Sequence, residues 1–198
     1  MIILIRHGQT VTNAQNLLVG RSDPDLTELG RRQALALRPW LSGVVEVWTS
    51  PLRRAQDTAS LALPDLVARV VDDFIEVDYG VLDGQPLSVI SAEQWRHFES
   101  EHHSAFGDGE SLASVDERVH GRLEELLGDR ESLLHAHHQH LAIVSHMSPI
   151  KSAAVWALGV GGATAWRTRL DNGSITVIGT RDDSPSLVRF NVVPILGA

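Results

Sequence analysis

Three short apolar runs, each delivering the chain into a polar segment, constrain this sequence more than any other feature. Ile2 to Ile5 leads into Arg6-His7-Gly8, Val44 to Thr49 into Ser50-Pro51, and Leu141 to Ser145 into His146. Each run is too short for an ordinary helix and reads as a buried strand. Amphipathic stretches lie between them. Thr27 to Ser42 carries Leu29, Leu35, Leu37, Trp40 and Leu41 near helical spacing, with Thr27 as a candidate N-cap and Gly43 as a stop. Ser50 reads as the cap of a second helix, with Pro51 at its first position and Pro64 closing it. Ser114 to about His135 reads as a long helix, and Ser148 to Leu158 as a short one ended by Gly159. Strands alternating with helices predict an α/β fold, three-layer αβα, with a mostly parallel central sheet.

The rest of the chain is less sharply patterned. Val67 to Val71 and Phe74 to Val77 look extended, and Ser174 to Ile178 and Leu187 to Val193 read as the last two strands. Pro86 to Gly109 is polar, with Trp95 and Phe98 as anchors, and is expected to form a helix and a loop over one end of the sheet. Gly161-Gly162 marks a loop. No repeat or linker interrupts the chain, so residues 1–198 read as a single domain.

Composition removes several function classes. With no cysteine among 198 residues, a disulfide framework, a thiolate metal site and a cysteine nucleophile are excluded. A net charge of -8 argues against nonspecific nucleic-acid binding, which needs a basic face. It leaves room for a small anionic substrate, since that depends on the charges of one pocket. The opening apolar run is too short for a signal peptide, and no window approaches the roughly 18 apolar residues of a membrane span. The expectation is a cytoplasmic protein without a membrane partner.

The residues that could do chemistry cluster after the strands. Ligands of open α/β sheets bind at strand carboxyl ends, where His7 and His146 both fall. His146 also precedes a helix, whose N-terminal N–H groups favour an anion. Taken alone, His7 could equally cap a strand by chance, and a residue like His146 is more often a hydrogen-bonded turn residue than a catalyst. Arg53 and Arg54 lie at the start of a helix, the end that the helix dipole makes unfavourable for cations. For Arg53 a solvated basic turn is the better account. Glu76, Asp78 and Asp83 form a carboxylate cluster, and a carboxylic acid can protonate a leaving oxygen.

Taken together, these residues resemble the histidine phosphatase superfamily, the phosphoglycerate mutase-like proteins. The resemblance runs through Arg6-His7-Gly8 with Thr10 and Asn13, Gly20-Arg21-x-Asp23, and Leu26-Thr27-x-x-Gly30-x-x-Gln33-Ala34. It continues in Ser50-x-Leu52-x-Arg54-Ala55-x-x-Thr58-Ala59, Glu76-x-x-x-Gly80-x-x-Asp83-Gly84, Gly109-Glu110-Ser111 with Val115 and Arg118, and Val144-Ser145-His146. The blocks follow family order from residue 2 to about residue 178. The resemblance implies a phosphoglycerate mutase-like fold and a phosphohistidine intermediate on His7. Arg6, Arg54 and His146 would hold the phosphoryl oxygens, with Asn13, Gly20, Arg21 and Met147 around the substrate. Glu76 would be the proton donor, its choice over Asp78 resting on spacing. Two guanidiniums and an imidazole can supply the charge without a metal or another cofactor. His7 would attack as neutral imidazole, its tautomer fixed by a backbone carbonyl.

The run His146-Met147-Ser148-Pro149-Ile150-Lys151 departs from the glycine usual in mutases and resembles the acid-phosphatase-like branch. Trp166 to Ser174 resembles α-ribazole phosphatase-like members. The resemblance therefore implies a phosphomonoesterase acting on a small phosphorylated substrate. A phosphoglycerate mutase and a non-catalytic phosphate-binding protein are the alternatives. Only Pro194 to Ala198 follow the last expected strand, which leaves little chain to close the site against water, so hydrolysis is favoured over mutase chemistry. Leu87 to Gly109 is the expected source of substrate specificity, and a homodimer is left open. His102-His103 and the run from His135 to His140 read as solvated surface and not as a metal site. The five tryptophans read as packing residues, Trp95 and Trp166 bordering the substrate mouth.

Overall fold

The computed structural model describes residues 1–128, 139–182 and 184–196. Among these, one six-stranded sheet runs in the order β3-β2-β4-β1-β5-β6. Its strands are β1 (Ile2–Arg6), β2 (Val44–Thr49), β3 (Arg69–Val70), β4 (His140–Ser145), β5 (Ile175–Arg181) and β6 (Ser184–Val192). The first four run parallel, β5 is antiparallel to β1, and β6 is antiparallel to β5.

The layers follow from side-chain alternation along the strands. Ile2 and Leu4 of β1 and Leu141 and Ile143 of β4 face one core. It is filled by Val115, Val119 and Leu123 of α5 (Leu112–Gly128) and by Ile150 and Ala153 of α6 (Met147–Leu158). Ile3, Ile5, Ala142 and Val144 face the other core. Leu37, just past α2 (Glu28–Ala36), and Ala55, Ala59 and Ala62 of α3 (Arg53–Ala62) close it. Strands apolar on both faces are what a sheet covered on both sides requires. The expected three layers are therefore present. Phe98 of α4 (Ala92–Ser100) joins the first core, and a Ser91–Gln94 capping box opens that helix.

Several boundaries differ from the sequence expectation, each for a local reason. Thr27 does cap α2, accepting from the Gly30 N–H, but the helix stops at Ala36. Pro39, which lacks an N–H, falls in a following 3-10 turn, Arg38–Trp40. Ser50 does not cap α3. That helix begins at Arg53 with Leu52 as N-cap, because the Ser50 hydroxyl is engaged elsewhere. Phe74 to Val77 is not a strand: Asp72–Phe74 is a 3-10 turn, and β3 keeps only two residues. Gly161-Gly162 opens a 3-10 segment, Gly162–Arg167. The end of the helix expected to reach His135, and His135, His137 and His138 themselves, lie outside the described residues. No helix among the described residues is long and apolar enough to cross a membrane.

Candidate active site

β1 and β4 pair with Arg6 opposite Ser145, so the residues that follow leave the sheet side by side. The His7 and His146 rings lie 5.0 Å apart between centroids and are inclined at 59°. β5 begins at this same end because it runs antiparallel. The Gly173 N–H donates to the Arg6 and His7 carbonyls at 3.0 and 3.1 Å, which brings Leu170 and Asn172 to the pocket. Gly8 packs against Gly30, and a Cβ on either would collide with the facing backbone. The loop carrying His7 is thereby clamped onto the start of α2. The Gly8 N–H donates to Thr58 Oγ1 at 3.0 Å, tying that loop to α3 as well.

The protonation state of His7 can be read from its partners. Nδ1 lies 2.7 Å from the Gly8 carbonyl, which can only accept, so Nδ1 carries the proton. This is the carbonyl contact the sequence resemblance implied. Arg54 Nε donates to His7 Nε2 at 3.3 Å, so Nε2 presents its lone pair. Burial, then the Arg54 and Arg6 guanidiniums, hold the His7 pKa well below the ordinary histidine value. His7 is a neutral imidazole in a pocket of fixed positive charge.

Arg54 is only 1% exposed, although it lies in the first turn of α3. Its NH1 donates to the Ser22 carbonyl (2.6 Å) and its NH2 to the Gly20 carbonyl (2.8 Å), with Asp23 Oδ1 3.7 Å from NH1. These oxygens hold the guanidinium against the dipole of its own helix. Arg53, one residue earlier, is exposed and pairs with Asp25, as its solvated reading predicted. Arg6 NH1 donates to the Leu170 carbonyl at 2.6 Å, and its Nε is buried without a partner.

His146 occupies the N-cap position of α6 yet makes no capping bond. Glu76 does that work from a distance: its carboxylate accepts from the N–H groups of Met147 (3.1 Å), Ser148 (3.2 Å) and Val77 (2.9 Å). The helix N-terminus therefore draws a buried carboxylate to the edge of the pocket. Ser50 fixes the His146 ring. Its Oγ accepts from the Leu52 N–H at 3.2 Å and lies 2.7 Å from His146 Nε2. The other ring nitrogen, Nδ1, is buried and has no partner. Burial, Arg54, His7, Arg6 and Arg118 together hold the His146 pKa well below its ordinary value.

Two neutral buried histidines make stability depend on pH. Their folded pKa values lie below the unfolded one, so below about pH 6.5 the unfolded chain takes up protons that the folded chain refuses. Stability present above that pH should be lost as the pH falls, by up to about 1.4 kcal/mol per pH unit for each ring. Urea denaturation between pH 7 and 5 should show a shallower loss for His146→Gln than for the native chain. Equal slopes would contradict the neutral state.

The remaining candidate residues are placed less centrally. Asn13 Oδ1 accepts from the Thr10 N–H (3.1 Å) and hydroxyl (3.0 Å) and faces Asn172 Nδ2 (3.3 Å) at the pocket rim. Gly20 enters through its carbonyl, and Met147 through its N–H on Glu76. Arg21 is held by Glu110 at 3.1 Å, and Glu110 is also paired with Arg118. Asp78 accepts from the Gly80 N–H inside its own turn, so Glu76 and not Asp78 is the carboxylate on α6. Trp95 is half-buried and packs with Tyr79, Phe98 and Phe106. Tyr79 and Lys151 are also buried beside this pocket. No group of three His, Asp or Glu side chains that could hold a metal occurs among the described residues.

The paired histidines at this end of the sheet stand beside the buried Arg54 and the half-buried Arg6, and the chain belongs to the histidine phosphatase superfamily (branch 1), whose family model matches residues 2–193. It is 32% identical over 204 residues to phosphoserine phosphatase 1 of Hydrogenobacter thermophilus, covering 99% of this chain and 94% of that protein. Phosphoserine phosphatase from Entamoeba histolytica, solved in complex with phosphoserine, superposes with a TM-score of 0.84 at 26% identity, covering 96% and 95% of the two chains. The α-ribazole phosphatase from Shigella flexneri gives a TM-score of 0.83 at 26% identity, covering 100% and 98%. The chain spans about half the length (52%) of a bifunctional protein of Mycobacterium tuberculosis, to which it is 32% identical.

Proposed function

We propose that this chain is a phosphomonoesterase that hydrolyses a small phosphate ester through a phosphohistidine on His7. The observation that carries this reading is the His7 tautomer, with Nδ1–H on the Gly8 carbonyl and the Nε2 lone pair directed at the buried Arg54. His7 Nε2 attacks phosphorus as the ester P–O bond breaks. Arg6, Arg54 and His146 hold the phosphoryl oxygens, with Asn13, Gly20, Arg21 and Met147 shaping the rim. Glu76, which takes up a proton from solvent as the anionic ester binds beside it, gives that proton to the departing alkoxide. It then takes a proton from water, whose oxygen attacks phosphorus and breaks the N–P bond. Free phosphate leaves, and neutral His7 is restored. The related phosphatases, including one solved with phosphoserine bound, support hydrolysis as the outcome. A cytoplasmic setting is part of this reading.

The test is phosphate release from a panel of phosphomonoesters, run beside isomerisation of phosphoglycerate on the same preparation. Release of phosphate should dominate, and should persist in chelator because the charge of the pocket is supplied by guanidinium groups. Efficient isomerisation stimulated by a bisphosphorylated primer, with negligible phosphate release, would establish a mutase instead. Activity lost in chelator and restored by one divalent ion would overturn the metal-free mechanism.

A further inference from the structure

Arg54 meets His7, and what aims Arg54 lies further out. Its NH1 and NH2 donate to the carbonyls of Ser22 and Gly20. Those carbonyls belong to residues 19–24, a stretch that lies in no helix or strand. Among the described residues, it also takes part in no backbone–backbone hydrogen bond. A loop of that kind has no ladder to fix the direction of its peptide units, so something else must tie their N–H groups.

Asp83 supplies the ties. Its Oδ1 accepts from the Gly20 N–H at 2.9 Å and from the Ser22 hydroxyl at 2.8 Å, and its Oδ2 accepts from the Ser22 N–H at 2.5 Å. One carboxylate therefore engages both residues whose carbonyls hold Arg54. Hydrogen bonds to an ionised carboxylate are shorter and stronger than neutral ones, which suits a clamp. Asp83 is itself anchored. Its N–H donates to the Gly80 carbonyl at 3.1 Å, the Gly84 N–H to the Leu18 carbonyl at 2.9 Å, and the Leu18 N–H to the Gln85 carbonyl at 2.8 Å. Asp23 ties the far end of the loop to α3, its Oδ2 accepting from the Arg53 N–H at 2.7 Å. Burial pulls the Arg54 pKa down, and Glu76, Asp23 and Asp83 act against that shift. Because Asp83 works through neutral carbonyls, it orients the guanidinium without neutralising it, as a directly bonded carboxylate would.

We propose that Asp83 is a positioning residue for phosphoryl transfer: by holding the N–H groups of Gly20 and Ser22 it aims the carbonyls of those residues at Arg54, and through Arg54 it sets the Nε2 side of His7. That role rests on the phosphomonoesterase reading. It also gives Asp83 a task apart from proton donation, since both of its oxygens are committed to the loop.

Asp83→Ala should lower kcat/KM for p-nitrophenyl phosphate by about 10- to 100-fold, the cost of displacing a positioned group by about 1 Å. Asp83→Asn keeps one acceptor and should fall between the native chain and the alanine variant. Asp25→Ala is the control. It removes an exposed carboxylate that pairs with Arg53 just past the loop, and activity should stay within about 2-fold of native. The second readout is the nitrogen NMR resonance of His7 Nε2, which Arg54 Nε meets at 3.3 Å. In Asp83→Ala that resonance should move downfield as the bond from Arg54 is lost. Native activity in Asp83→Ala overturns the proposal, and so does lost activity with an unchanged His7 resonance, which would make Asp83 merely structural. If Asp83→Ala does not fold, Asp83→Asn carries both readouts. A native chain that hydrolyses no phosphomonoester overturns the phosphomonoesterase reading instead, and the nitrogen resonance still decides whether Asp83 sets Arg54 against His7.

Discussion

Replacing His7 by alanine should lower phosphate release by at least ~10⁴-fold, because the variant has no atom to form the N–P bond. The fold should survive. His7 follows β1 and belongs to neither hydrophobic cluster, and the loop that carries it is held by Gly8 packing on Gly30 and by the Gly8 N–H on Thr58. Removing a neutral buried ring from between two guanidiniums leaves Arg54 Nε without its acceptor, a cost of about 1–3 kcal/mol. Acid quench during turnover should trap a phosphoryl label on the native chain and none on the variant. Label retained after His7→Ala would place the nucleophile elsewhere.

The second large effect is expected at Glu76. Glu76→Gln should slow esters of alkyl alcohols by about 10²- to 10⁴-fold, because an alkoxide is a poor leaving group without a proton. An activated aryl ester leaves without that proton and should lose much less. The comparison matters because Glu76 also caps α6. Glutamine keeps one acceptor but turns its amide N–H groups toward helix N–H groups, so a stability loss of about 1 kcal/mol should accompany the kinetic change. A structural defect alone would lower both esters alike. The ratio between the two esters therefore isolates proton donation from capping.

The sheet was legible in the sequence because its central strands are apolar on both faces and end on turn residues. Ile2 to Ile5 and Leu141 to Ser145 needed no tertiary information to be read as strands. His7 and His146 were legible as a pair only once two strand ends were assumed to be neighbours, which the β1–β4 register supplies. Contacts made across the fold were not legible. Arg54 is held by two carbonyls contributed by Gly20 and Ser22, and a carbonyl leaves no mark on residue type. Ser50 looked like a helix cap because serine before proline has that local signature, but a distant histidine claims its hydroxyl. Phe74 to Val77 had strand composition, yet Asp72 and Asp73 turn the chain there and deliver Glu76 to a helix rather than a sheet. Lys151 reads as a helix-surface lysine until α6 is seen to be buried along most of its length.

The adjacency of β1 and β4 has a consequence for how the molecule is assembled. Its two histidines belong to strands separated by most of the chain, and nothing local brings them together. Closing so long a loop carries the entropy cost that slows folds rich in distant contacts. A partly formed molecule with sound helices and a sound β5–β6 hairpin would contain no pocket at all. The pocket thus marks completion of the fold: its two histidines meet only in a chain that has joined its first strand to its fourth.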